Sequence, residues 1–138
     1  MPLGRDSVGT DRRPDALRLA ALDVAVIVGL VLAGRSSHER YSIADVPAVV
    51  EAAAPFVLGW FVVAAVAGNY RRADAGDPVA VVRRTAICWL AASNVGFLIR
   101  GSSHVDGGVP WSFMVVFVGF GLVAFVIVRG GYELAFRR

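Results

Sequence analysis

Long apolar runs broken by short polar breaks set the pattern of this chain. Leu19–Gly34 is interrupted only by Asp23, and Ala52–Gly68 is uncharged and extends back to Val46 if Glu51 is included. Thr85–Ile99 reaches full length when the helix starts near Val79 and carries Arg83 and Arg84 at one end, and Val109–Val128 has no charge at all. A helix needs about 20 mostly apolar residues to cross the hydrocarbon core. The pattern therefore predicts an all-α membrane protein with four transmembrane helices over residues 19–34, 46–68, 79–99 and 109–128, behind a polar tail at residues 1–18. Pro47, Pro78 and Pro110 each stand where a first helical turn should begin, where the missing N–H costs nothing. Asp77 is placed to cap the third helix.

Composition agrees with a lipid environment. The 138 residues are 57% hydrophobic, above the 45–50% or so of a soluble domain. A chain this short cannot hide that much apolar surface in one aqueous core. The single cysteine, Cys88, excludes an internal disulfide and a thiolate metal cluster, and two histidines alone make no structural zinc site. Neither a metal nor a cofactor is expected. No cleavable signal peptide is evident, so the first apolar run is expected to remain as an anchor.

All 14 basic residues are arginine. They flank apolar segments and build no basic groove, which argues against a nucleic-acid partner. Their distribution predicts orientation instead. Eleven of them (Arg5, Arg12, Arg13, Arg18, Arg71, Arg72, Arg83, Arg84, Arg129, Arg137 and Arg138) fall on one side of the four spans, against Arg35, Arg40 and Arg100 on the other. By the positive-inside rule both termini are cytoplasmic, which makes this a multi-pass plasma-membrane protein. Trp111 at the outer end of the fourth span, with Tyr70 and Tyr132 at inner ends, fits aromatic belts.

Candidate chemistry concentrates in the first and third spans. A carboxylate inside a span costs about 2.5–3.5 kcal/mol at the helix centre, so Asp23 should face protein or water and have a partner. Arg84 or Arg83, at a similar depth in helix three, is the expected partner. A structural ion pair is the plainer role, and a proton or cation site the sharper one. Arg35, His38, Arg100 and His104 should gather at the outer face, as snorkelling side chains or as a binding site for an anion, a lipid headgroup or an acidic tail. Glu51 complements the dipole of helix two. Trp60 and Trp89 need acceptors for their indole N–H groups. Asn94 shares a helical face with Arg83, and that face is expected to turn inward. Small residues four apart (Ala25, Gly29 and Ala33; Ala64 and Gly68; Ala92 and Gly96) predict packing seams. A site, if present, is expected where helices one and three meet, with helix four a plain anchor.

Ser36-Ser37-His38 and Ser102-Ser103-His104 follow the first and third spans, each with a Val-Pro ahead of the next helix. This suggests two helical hairpins of like orientation, a parallel repeat about the membrane normal. Enzyme signatures are absent: no P-loop, dinucleotide fingerprint, paired metal-ligating histidines or nucleophile elbow. No catalytic residue is assigned.

Taken together, the residues resemble a family of small prokaryotic membrane proteins known as domain of unknown function 3054, over Leu19 to Val128. The resemblance rests on Asp23, Gly34-Arg35-Ser36-Ser37-His38, Pro55-Phe56, Gly59-Trp60, Trp89, Gly96, Arg100 and Phe113. The second Ser-Ser-His is not part of it. The resemblance implies a prokaryotic source, and this residue mix an archaeal one; it implies topology and no mechanism. Two functions are then expected to compete. One is a structural or accessory membrane component that packs with itself or a larger complex. The other is an oligomeric carrier or channel for a small ion or solute.

Overall fold

The computed structural model describes residues 12–36, 45–70, 77–104 and 108–136. Four helices make up the fold among these residues: α1 (Arg12–Ser36), α2 (Val46–Val66), α3 (Pro78–Arg100) and α4 (Trp111–Phe136). Three of them, α1, α2 and α4, are long and apolar enough to cross a membrane. The third expected span, α3, is not among these three. Arg83, Arg84, Thr85, Ser93, Asn94 and Arg100 dilute its apolar content.

Local chemistry sets the helix ends. The Asp45 carboxylate accepts from the Ala48 N–H at the start of α2. Asp77 does the same for Val79 (3.0 Å) and Ala80 (3.1 Å) at the start of α3, with Pro78 occupying the first turn. Side-chain oxygens here satisfy N–H groups that have no partner within the helix. Ahead of α4, the Pro110 carbonyl accepts from Met114. The end of α2 differs from expectation. Gly68 adopts φ 67°, Asn69 N–H bonds to the Ala64 carbonyl and Gly68 N–H to that of Ala65. This is a Schellman termination, which requires a left-handed residue just past the helix. Gly68 therefore stops α2 at Val66 and reverses the chain.

The helices run antiparallel in sequence around a ring. α1 packs on α2 and α4, and α3 packs on the same two, so α1 and α3 lie diagonally apart. The expected meeting of helices one and three does not occur. The α2–α3 and α3–α4 seams are much more extensive than the two seams of α1. The two hairpins are thus not packed equivalently, and Ser37 and His38 of the suggested repeat lie outside the described residues.

Glycine and aromatic residues explain the tight seams. A Cβ added at Gly59 would stand 2.6 Å from the Ala92 carbonyl oxygen, so α2 and α3 approach backbone to backbone. A Cβ on Gly96 would overlap the Phe56 ring, and one on Gly121 would overlap the Trp89 indole. Ala92–Gly96 thus forms a seam with α2. Ala25, Gly29 and Ala33 do not form one within the chain: Ala25 and Ala33 are exposed and Gly29 has nothing within 4 Å. The core between the seams is aromatic. Phe56, Phe97, Phe113 and Phe117 cluster at one end in edge-to-face, tilted and stacked pairs, and lower down Phe125 stacks on Trp60 and lies tilted against Trp89, with centroids 4.4 and 4.9 Å apart. Outside the ring the surface is apolar, with Val50, Leu58, Val62, Ile87, Leu98, Val116, Phe120, Val123 and Ile127 all exposed. A monomeric soluble protein rarely shows such a continuous patch.

Gly59→Ala should lower stability by about 1–3 kcal/mol, the cost of overpacking a tight contact. Gly29→Ala should leave it unchanged or raise it by about 0.5–1 kcal/mol. Denaturation midpoints in mixed micelles would check both, and equal losses at the two sites would contradict the seam assignment.

Candidate functional site

The buried residues in the described part of α1 are Asp23, Ile27 and Val31, spaced four apart. Asp23 is 0% exposed. A carboxylate so placed persists as an ion only when protein donors replace its water. The structure supplies four such bonds. Arg129 of α4 binds it bidentately, Nε to Oδ1 at 3.2 Å and Nη2 to Oδ2 at 2.6 Å. The Tyr70 hydroxyl donates to Oδ2 at 2.6 Å, and the Trp60 indole N–H does so at 3.1 Å. Trp60 also donates to the Tyr70 oxygen at 2.9 Å, so that phenol accepts from one neighbour while giving its proton to another. The Arg129 guanidinium lies over the Tyr70 ring, 5.4 Å from its centroid. The arrangement joins α1, α2, the turn after α2, and α4.

The expected partners of Asp23, Arg83 and Arg84, are replaced by Arg129. Two local features explain the change. α4 continues past Val128 to Phe136, so Arg129 stands within the helix and not after it. It is also on the inner face: Phe117, Gly121, Phe125, Arg129 and Glu133 are all buried and recur every four residues. That spacing was visible in the sequence, where treating Arg129 as the first flanking charge concealed it. Helix four is thus not a plain anchor. Tyr70, expected in an aromatic belt, is turned back into the bundle by the Gly68 reversal.

The other candidate residues do not bond to Asp23 among the described contacts. Arg83 and Asn94 are both exposed, so their shared face turns outward and not inward; the Asn94 amide bonds to the Leu90 carbonyl one turn back. Arg84 is half-buried. Trp89 donates to the Val118 carbonyl across the α3–α4 seam at 3.0 Å. Glu51 is exposed in the early turns of α2. Of the outer cluster, Arg35 and Arg100 end α1 and α3 as half-buried residues, and Arg100 stands 5.8 Å from the Phe113 ring centroid. His104 is exposed, and His38 lies outside the described residues. Trp111 is 78% exposed at the start of α4. Tyr132, the other expected belt residue, is half-buried and donates to Asp15 at 3.5 Å.

Thr85 adds a polar feature that sequence reasoning did not single out. It is 0% exposed, and its hydroxyl has no hydrogen-bond partner among the described residues. A buried polar group left so costs about 1–3 kcal/mol. Thr85 lies one turn before Trp89, on the buried face of α3 with Cys88. Among the described residues no group of three or more His, Cys, Asp or Glu side chains gathers to hold a metal.

Removing one partner of a buried ion pair strands the other. Arg129→Ala should therefore cost about 3–5 kcal/mol of stability, whereas Arg83→Ala, on an exposed face, should stay within about 0.5 kcal/mol. Chemical denaturation of the two variants would check the contrast. Burial, and then the Asp23 charge, hold the Tyr70 phenol well above its ordinary value of 10.0. The folded state therefore binds this proton more tightly than the unfolded state, and the linked stability is full below pH 10 and lost as pH rises beyond it. A denaturation series across that range should show the decline, and Tyr70→Phe should flatten it.

No curated protein and no solved structure matches the chain. A family model described as "Protein of unknown function (DUF3054)" matches residues 20–132, from within α1 to the last turns of α4 and including Asp23, Trp60, Tyr70 and Arg129. The chain belongs to the DUF3054 family.

Proposed function

We propose that the chain is a structural or accessory component of the prokaryotic plasma membrane. It crosses the bilayer four times with both termini in the cytoplasm, acts without catalysis, and assembles with itself or a larger membrane complex. The observation that carries this reading is the closed packing of the interior. Asp23, the acid that a transport path would use, is fully buried and bonded to protein donors, and the rest of the core is packed with aromatic rings. A solute path through a single copy would need polar, hydrated walls.

Including α3 as a span rests on its length and its outer face. Its 23 residues extend about 34 Å at 1.5 Å per residue, enough for a hydrocarbon core of about 30 Å. Ile87, Leu90, Ala91 and Leu98 face outward, and the one amide among them, Asn94, is bonded to its own helix. The positive-inside rule supports the orientation: Arg83, Arg84 and Arg129 stand at the end of the bundle where α1 begins.

Native mass spectrometry of the full chain, extracted in mild detergent, should reveal a defined oligomer or a co-purifying membrane protein. A lone monomer that moves a small ion or solute when reconstituted into liposomes would sink the accessory reading. With Cys88→Ser as background, an impermeant maleimide added to intact cells should reach Ser103→Cys and leave Ala135→Cys unlabelled.

A further inference from the structure

The forces holding α1 differ from those holding the other three helices. α2 and α3 each bury seven residues and meet through Gly59, Ala92 and Gly96, while α3 and α4 meet through Trp89 and Gly121. α1 buries only Asp23, Ile27 and Val31 within its described part, and both its glycines, Gly29 and Gly34, have nothing within 4 Å. In lipid, apolar side chains gain little by leaving acyl chains for protein, since both surroundings are equally apolar. Ile27 and Val31 therefore contribute little beyond van der Waals packing. The four bonds to Asp23 tie α1 to α2, the turn after it and α4 through a fully buried carboxylate; half-buried Val26, Val28, Leu30 and Leu32 pack against the core beside it, and Tyr132 bonds to Asp15 at 3.5 Å near the start of the helix.

We infer that α1 is a latch: a helix docked on a self-sufficient α2–α3–α4 unit by the Asp23 charge and able to swing away from it when the pair with Arg129 is broken. The residues it covers suit such a motion. Arg129, on the buried face of α4, is paired directly to α1 through Asp23, and α1 fills the place between α2 and α4. Undocking would open that gap and let water reach the guanidinium. A ligand, a partner helix or a proton that competes for Asp23 or Arg129 would shift the balance between docked and undocked forms. This inference concerns the internal coupling of the chain and holds whether or not the chain assembles with a partner.

Spin-label distances in the full chain, reconstituted in lipid with Cys88→Ser, test it. One label pair, Leu17→Cys with Val79→Cys, joins exposed positions of α1 and α3; a control pair, Leu58→Cys with Phe120→Cys, joins exposed positions of α2 and α4. Asp23→Asn and Arg129→Gln should each broaden or lengthen the α1–α3 distance by on the order of 5 Å, the scale of a one-turn helix displacement. The control pair should stay unchanged. Tyr70→Phe, which leaves the ion pair in place, should give a smaller change in the same direction. If Asp23→Asn does not accumulate in the membrane, Arg129→Gln and Tyr70→Phe carry the same test. An unchanged α1–α3 distance in the variants would overturn the latch. Equal broadening of both pairs would overturn it too, because the bundle would then be loosening as a whole.

Discussion

A carboxylate cannot remain charged inside a closed apolar bundle unless protein donors stand where water would have been, and the architecture around Asp23 follows from that constraint. A bidentate guanidinium provides opposite charge in fixed geometry, and Arg does this better than a point-charge amine would. Tyr70 and Trp60 add donors to the same oxygen that Arg129 Nη2 approaches. To deliver them, α4 must run on past the apolar run to Phe136, α2 must stop at Val66, and the chain must reverse at Gly68. Three features that look unrelated along the chain are thus requirements of one side chain.

The seams divide the bundle by mechanism. Where α2, α3 and α4 meet, missing side chains on glycine allow close approach, and large rings fill the space this leaves. These contacts are short-ranged and numerous, and they do not depend on charge. Where α1 meets its neighbours, the packing is sparser and a buried ionised group, Asp23, stands at its centre. Lipid sharpens the division, because it removes the hydrophobic force that would hold an equivalent helix in water and strengthens the electrostatic term. Small residues on α1 therefore do not mark an internal seam. Ala25, Gly29 and Ala33 look like a packing stripe in sequence and lie on the outside in the fold.

Much of the fold was legible. Four apolar runs became four helices, the Asp77 cap and Pro78 stand where helix-start chemistry puts them, and Ala92 and Gly96 lie in a real seam. The need of Asp23 for a partner was equally legible, because the cost of burying a charge depends on no particular fold. Hydropathy was less informative at boundaries. It responds to the first charged residue, so it ended the fourth span at Val128, whereas the backbone hydrogen-bond ladder ends at Phe136. It also could not tell which face of α3 turns inward, since the polar residues Thr85 and Ser93 are buried there while Ile87, Leu90 and Leu98 are exposed.

What the sequence by itself determined was a set of obligations: four helices, the starts of α2 and α3, an apolar exterior, and an acid that must be neutralised; α1 starts at Arg12, inside the expected polar tail. Only the tertiary structure decided how they were met. Arg83, Arg84 and Arg129 were all at a suitable depth for Asp23, and depth is a one-dimensional property that a linear sequence can express. Pairing also depends on the order of helices around the ring, which puts α4 beside α1 and α3 across from it. It depends on rotation about each helix axis as well, which turns Arg129 inward and Arg83 outward. Order and rotation are fixed by contacts between distant segments, chiefly Gly59 against Ala92 and Trp89 against Gly121, and no local rule along the chain contains them.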